Sequence, residues 1–336
     1  MSIKIVALGE IMLRFSTTNH KRFSQSESFD ICFGGAEANV IANLTNFGLE
    51  GMFITKVPDN PIGQSAINQM NSFGINTKYI VKGGTRLGTY YVEPGFSHRA
   101  TQVIYDRANS SMTEASFEDF DFEAIFKDAN WFHISGVTPA ISEKGALLTE
   151  KALKFAKEKG ITTSFDVNYR KKLWSQEKAT AVIKNLCQYV DVCIGVDPTL
   201  GIKTSSDKMI KDRITKEGFK DIFTQLQEMY GFKFIATSLR ENHSASENSC
   251  AALVFDGKEF YETKKYNVQI VDRVGTGDAF AAGLIYGLAT KMTTKETAEF
   301  AVASSVLKHT IHGDFNQVSL EEVMSLMNGE NTLVKR

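Results

Sequence analysis

The decapeptide Val271-Asp272-Arg273-Val274-Gly275-Thr276-Gly277-Asp278-Ala279-Phe280 sets two glycines before an acid and runs into a small-residue stretch, Ala279 to Ala289. A glycine turn that feeds a helix leaves several backbone N–H groups unpaired and pointing one way, at the end of the helix that carries partial positive charge. Such a start binds anions, phosphate above all. An aspartate there repels a bound phosphate, which makes sense if its task is to take a proton from a nucleophile attacking that phosphate. Gly275, Thr276 and Gly277 are therefore read as an anion hole and Asp278 as a general base. Taken alone, the decapeptide leaves a second reading open: a tight turn with Asp278 capping a helix.

Other segments carry residue types suited to the same chemistry. Phe33-Gly34-Gly35-Ala36-Glu37-Ala38-Asn39 is a second glycine turn into a helix. Gly34 and Gly35 let a ligand approach the backbone closely, and Asn39 offers donor and acceptor to hydroxyls. Tyr90, Tyr105 and Arg107 lie on short strand-like runs, and arginine's planar fork suits a carboxylate or phosphate. The run Ser164 to Trp174 leaves a strand presenting Asp166, Asn168 and Arg170, an acid able to act on Mg²⁺ through water and a second anion-binding arginine. Ala303 to Asn316 is a small-residue helix ending at Gly313-Asp314. Each has a plainer reading as turn, cap or packing.

The elements that must position these residues follow from hydrophobic periodicity. Apolar runs at 3–8, 51–57, 131–136, 162–167, 190–195 and 232–238 read as buried strands, and 36–47, 63–73, 142–159, 178–189, 219–230, 279–290 and 295–309 as helices, several closed by glycine. Alternation of this kind implies a mostly parallel sheet covered on both faces, with ligands beyond the carboxyl ends of its strands. Cys250–Phe255 and Lys258–Tyr261 read as a hairpin joined at Asp256-Gly257. The runs 79–81, 88–93 and 101–105 break the rhythm. With 11–16 and 29–33 they are expected to form a small antiparallel sheet, a lid over the body. Residues 199–218, lysine-rich and poor in apolar side chains, read as a mobile insertion.

The 336 residues, 43% hydrophobic, allow one large α/β domain. A net charge of −1 points to no nucleic-acid or anionic-membrane partner. No window approaches the roughly 18 apolar residues of a membrane span. The first residues, MSIKIVALGEIML, do not read as a secretory signal, and Cys32, Cys187, Cys193 and Cys250 are scattered, so reduced thiols in a cytoplasmic protein are expected.

Together these segments resemble the ribokinase (PfkB) superfamily of small-molecule kinases, from Gly9-Glu10 to Asp314. Within it the chain is most similar to the 2-keto-3-deoxygluconate kinases, on Phe33-Gly34-Gly35-Ala36-Glu37, Gly88 to Glu93, Tyr105-x-Arg107, His133 to Ala140, Asp166 to Arg170 and His312-Gly313-Asp314. The resemblance implies a Rossmann-like α/β/α sandwich with a small β-sheet lid, residues 1–336 forming a single kinase domain with the lid built from about 11–33 and 79–106. It implies ATP-dependent phosphorylation of 2-keto-3-deoxygluconate to its 6-phosphate, with Asp278 as base and Gly275 to Gly277 as anion hole. Gly34, Gly35, Asn39, Tyr90, Tyr105, Arg107, Arg170 and Asp314 would bind the sugar acid. Asn168, Arg170, Ser238, Gly275, Gly277 and Gly313 would bind ATP. Asp166 would reach Mg²⁺ through water, and a monovalent cation, K⁺, would sit at Asp272. A homodimer through the lid is expected.

Two segments depart from the family pattern. Gly195-Val196-Asp197-Pro198 stands where an Asn-x-x-Glu is usual, leaving Asp197 to replace the metal-ordering glutamate. Thr237 to Ser246 contains no glycine where a glycine-rich nucleotide turn is usual. A fructokinase or other ketose kinase remains an alternative, as does an inactive sugar-acid sensor with degenerate nucleotide binding.

Overall fold

A computed structural model describes residues 2–202, 209–210 and 213–330. Six parallel strands form the centre of its main sheet, in the order Phe234–Asn242, Val192–Ile194, Thr162–Asp166, Trp131–Ser135, Lys4–Leu8, Glu50–Ile54. Glu247–Phe255 then pairs antiparallel with Phe234–Asn242, and itself receives Phe260–Glu262 and Tyr266–Gln269. Strand polarity puts Leu8, Ser135, Asp166, Ile194 and Ser238 toward one edge of the sheet, and the chemistry-bearing loops leave from there.

Both faces of the sheet are buried, which is why its strands are almost continuously apolar. On Lys4–Leu8, Ile5 and Ala7 join a core shared with the helices Ala36–Asn46, Thr276–Ala289 and Thr294–Lys308. Val6 and Leu8 join the opposite core, against Glu143–Glu158, Gln176–Cys187 and Lys216–Tyr230. Small residues let two helices of the first layer meet closely: a Cβ on Gly283 would stand 2.6 Å from the Ala301 Cα. The result is the α/β/α sandwich expected from the alternating pattern.

A second, four-stranded sheet has the order Asp30–Gly34, Met12–Ser16, Gly88–Glu93, Gln102–Asp106. Its central pair is parallel, flanked by antiparallel pairs, so it is mixed rather than antiparallel. The 79–81 segment is not part of it. Val81–Lys82 instead pairs with Lys56–Val57, because its N–H groups are taken by the chain just past Glu50–Ile54 (Val81 N to the Thr55 carbonyl, 2.9 Å). Cross-strand register gives the small sheet two unlike faces. The row Cys32, Arg14, Tyr90, Tyr105 includes the two side chains that bond to the main body, Arg14 and Tyr90. The neighbouring row Ile31, Phe15, Tyr91, Ile104 points away from it, with Ile31 61% and Ile104 54% exposed.

The strand expected to end at Ser238 continues to Asn242, because residues 239–242 pair with 248–251. The helix Leu320–Asn328 is found in addition to those expected. Residues 203–208 and 211–212 of the expected insertion lie outside the described residues.

Candidate active site

Gly275 caps the helix Thr276–Ala289 with φ +82°, a left-handed conformation that suits glycine, and no side chain bonds to the cap. The first helical bond is Ala279 N to the Gly275 carbonyl, 2.9 Å, so the amides of Thr276, Gly277 and Asp278 precede the helical ladder. A Cβ on Gly277 would meet nothing within 4 Å. The helix therefore begins with donors facing open space, a fit for phosphate oxygens.

Asp278 lies in the first turn, half-buried, its Oδ2 accepting from Asn39 Nδ2 at 2.6 Å. Withdrawal from water pushes its carboxyl up to about 7; Asp166 and Asp314 add to the rise, while Asn39 and Arg170 oppose it. Burial likewise lifts Asp166 to about 6 against the pull of Arg170. Both Asp166 oxygens accept from Asn168, from its backbone N at 3.1 Å and its Nδ2 at 3.3 Å. Arg170 itself is exposed. Asn39, Asp278, Asp166 and Arg170, drawn from positions as far as 239 residues apart, thus converge with the anion hole at the carboxyl edge of the sheet.

A buried ion network lies beside this cluster. Arg14 reaches Asp272 Oδ2 at 2.6 Å and Asp314 Oδ1 at 2.8 Å, and the Tyr90 hydroxyl donates to Asp314 Oδ2. Burial works against the Arg14 charge, but the two carboxylates more than restore it. Gly34 is needed here because a Cβ would stand 2.1 Å from the Asp314 carboxylate. Tyr105 stacks on Tyr90 with ring centroids 5.6 Å apart and remains 46% exposed. Tyr90 and Asp314 hold each other and Arg14, which ties the small sheet to the body.

Arg107 pairs with Glu10, which also accepts from the Ser110 hydroxyl. The Arg107 Nε is buried without a partner. Glu37 anchors the Gly34-Gly35 turn: its Oε1 accepts from Ser135 N at 2.9 Å and from the hydroxyls of Ser135 and Thr138, each at 2.8 Å. Asp197 caps a short 3-10 turn, Oδ1 accepting from Thr199 N at 2.9 Å. Asp272 accepts from Val274 N at 3.0 Å and Gly313 N at 3.1 Å besides Arg14. Ser238 is exposed and borders a crevice with Arg240, Phe280 and Ser305.

Sequence reasoning missed Arg14, Glu10, Arg240 and Lys308. Arg240 Nη2 donates to Thr276 Oγ1 at 3.0 Å, and Arg273 Nη2 to the carbonyls of Ser244 and Ala245 at 3.3 Å, so two arginines flank the anion hole. The signal for Arg14 was its place inside the apolar run Met12-Leu13-Arg14-Phe15.

Residues 2–318 match the pfkB family carbohydrate kinases. The chain is 31% identical to a 2-dehydro-3-deoxygalactonokinase of Haloferax volcanii over 100% of both proteins. It is similar to the crystal structure of a 2-dehydro-3-deoxygluconokinase from Thermotoga maritima, 44% identical with a TM-score of 0.93, covering 97% of this chain and 100% of that one. A sugar kinase of Pyrococcus horikoshii solved in complex with ATP has the same fold, at 19% identity and a TM-score of 0.73 over 95% of this chain and 96% of that one. The sandwich is that of a carbohydrate kinase, and the chain belongs to the pfkB family.

Proposed function

We propose that this carbohydrate kinase transfers the γ-phosphoryl group of ATP to 2-keto-3-deoxygluconate, giving the 6-phosphate. The observation that carries the chemistry is the Asn39–Asp278 contact at the head of the glycine-capped helix. The substrate class rests on the names of the relatives at 31% and 44% identity and on the arginines at 107 and 170, which a neutral sugar does not require. Asp278, with its pKa near neutrality, takes the proton from the attacking primary hydroxyl. Asn39 fixes the orientation of the base through its amide. The amides at Thr276 to Asp278 receive the transferring phosphoryl oxygens, and Arg240 stands at the same turn to share their charge. ATP supplies the phosphoryl group and Mg²⁺ its charge neutralisation; Asp166, at the carboxyl edge of the sheet and near enough to Asp278 to raise its pKa, is the carboxylate placed to reach the ion through water. Ser238, Asn168 and Gly313 border the nucleotide side. A coupled ADP assay with 2-keto-3-deoxygluconate, its galactonate epimer, fructose and ribose tests the reading. Turnover confined to a neutral ketose would overturn it.

Arg107→Ala and Arg170→Ala should each weaken sugar-acid binding more than ATP binding, by on the order of 2–4 kcal/mol in a closed site. Titrations of each variant with the acid and with fructose check this. Equal losses for both sugars would remove the carboxylate role.

We also infer that the small sheet acts as a lid that excludes water from the transfer. Amide hydrogen exchange across 88–106 should slow when the sugar acid binds. Unchanged exchange at saturating ligand would rule closure out. Its outward apolar row, Ile31, Phe15, Tyr91 and Ile104, supports a homodimer through this sheet. Light scattering should give twice the chain mass, and Ile31→Lys with Ile104→Lys should halve it. Four free thiols and no described helix long and apolar enough to cross a membrane fit a cytoplasmic site of action.

A further inference from the structure

Lys308 ends the helix Thr294–Lys308 and is fully buried, yet the phosphoryl transfer described above does not use it. Its Nζ donates to the Ile311 carbonyl at 3.0 Å. Its stem runs beneath the anion-hole turn: a Cβ on Gly275 would stand 3.3 Å from Lys308 Cε. A lysine is rarely buried so completely without anionic company. Burial pulls the Lys308 pKa down and the nearby Arg14 adds to that pull, while the company of Asp272, Asp314 and Asp278 opposes it. The helix end adds partial negative charge.

The K⁺ that the family resemblance places at Asp272 meets a site already supplied with donors. Asp272 Oδ1 accepts from Val274 N, and Oδ2 accepts from Arg14 Nη2 and Gly313 N. Arg14 is a fixed cation on both carboxylates, and the buried Lys308 side chain lies close by, under the Gly275 turn next to the Asp314 backbone. A third, mobile cation would be repelled by both in a poorly screened interior. The residues therefore do not fit a bound K⁺.

We propose that the Lys308 ammonium is a tethered internal cation that takes the place of a bound monovalent ion beneath the Gly275 turn, holding the anion hole in shape. Lys308 is thus a positioning residue. Only the activity arm of its test rests on the kinase reading.

The test compares the wild type, Lys308→Ala, which opens room for a small cation, and Lys308→Met, which fills it with uncharged atoms. Each is assayed with tetramethylammonium as the only monovalent cation, then with K⁺ or NH₄⁺ added. Wild-type turnover should not change. Both variants should lose about a hundredfold in kcat, the scale of removing one electrostatic contributor, with KM for the sugar acid retained. K⁺ or NH₄⁺ should restore the alanine variant and not the methionine one. In thermal denaturation, the same cations should raise the midpoint of Lys308→Ala alone, because only it has a vacant cation site in its native state. That second readout stands even if no sugar acid is phosphorylated. Activation of the wild type by K⁺ would overturn the proposal, and this arm needs no variant to fold. So would a folded alanine variant whose activity and midpoint ignore every small cation.

Discussion

Asp278→Asn should lower turnover by roughly two to four orders of magnitude while leaving the KM for the sugar acid nearly unchanged. Asparagine keeps the size of the side chain, and its carbonyl can still accept from Asn39, so the anion hole and the sugar contacts survive. Only the capacity to take a proton is lost. The pH dependence carries the same information. Asp278 must be ionised to act, and its carboxyl is held up to about 7, so kcat/KM should fall as pH drops through that value and level off above it. That limb should disappear from the residual activity of the variant. A variant keeping more than about a tenth of wild-type turnover would assign the proton elsewhere.

Arg14→Met should cost about 3–5 kcal/mol of folding stability, the usual penalty for leaving buried charge without its partner. Methionine approximates the volume of the arginine stem, which limits the loss to the charge. Asp272 and Asp314, 9% and 4% exposed, would then share the buried space with Arg14's compensation gone. Urea denaturation at neutral pH measures the difference. Replacing Asp272 and Asp314 by asparagine in the Arg14→Met background should recover part of it, because the penalty is the unpaired charge. A loss below about 1 kcal/mol, the ordinary worth of an exposed pair, would mean that water reaches the network.

The sandwich was legible in the sequence because both faces of the sheet are buried, which makes its central strands apolar runs and gives helices such as Glu143–Glu158 and Lys216–Tyr230 an apolar stripe, while Thr276–Ala289 and Thr294–Lys308 are buried almost all round. Helix bounds came within a few residues where a cap spoke clearly, as at Ser142 before Glu143–Glu158. The small sheet was harder. Val81 is apolar enough for it, but backbone bonds to Thr55 decide its place, and no periodicity encodes a partner that far away. Glu241 and Asn242 carry no strand signal of their own; pairing with Ser249 and Asn248 extends the strand. The glycine turns and Asp278 were visible because their chemistry is local. Arg14, Glu10 and Lys308 were not, because a charge deep in the protein is recognised only by its partners. Those partners are distant: Asp272 and Asp314 lie 258 and 300 residues from Arg14.

The two-faced small sheet sets a rule for how this chain can change length. Along Met12–Ser16 every second side chain belongs to the other face, so inserting or deleting one residue would turn Arg14 out to solvent and bring Leu13 or Phe15 against Asp272 and Asp314. No side-chain substitution repairs such a slip. Close relatives should therefore differ in length at the turns around 17–29 and 94–101, and keep the count from Met12 to Ser16 fixed.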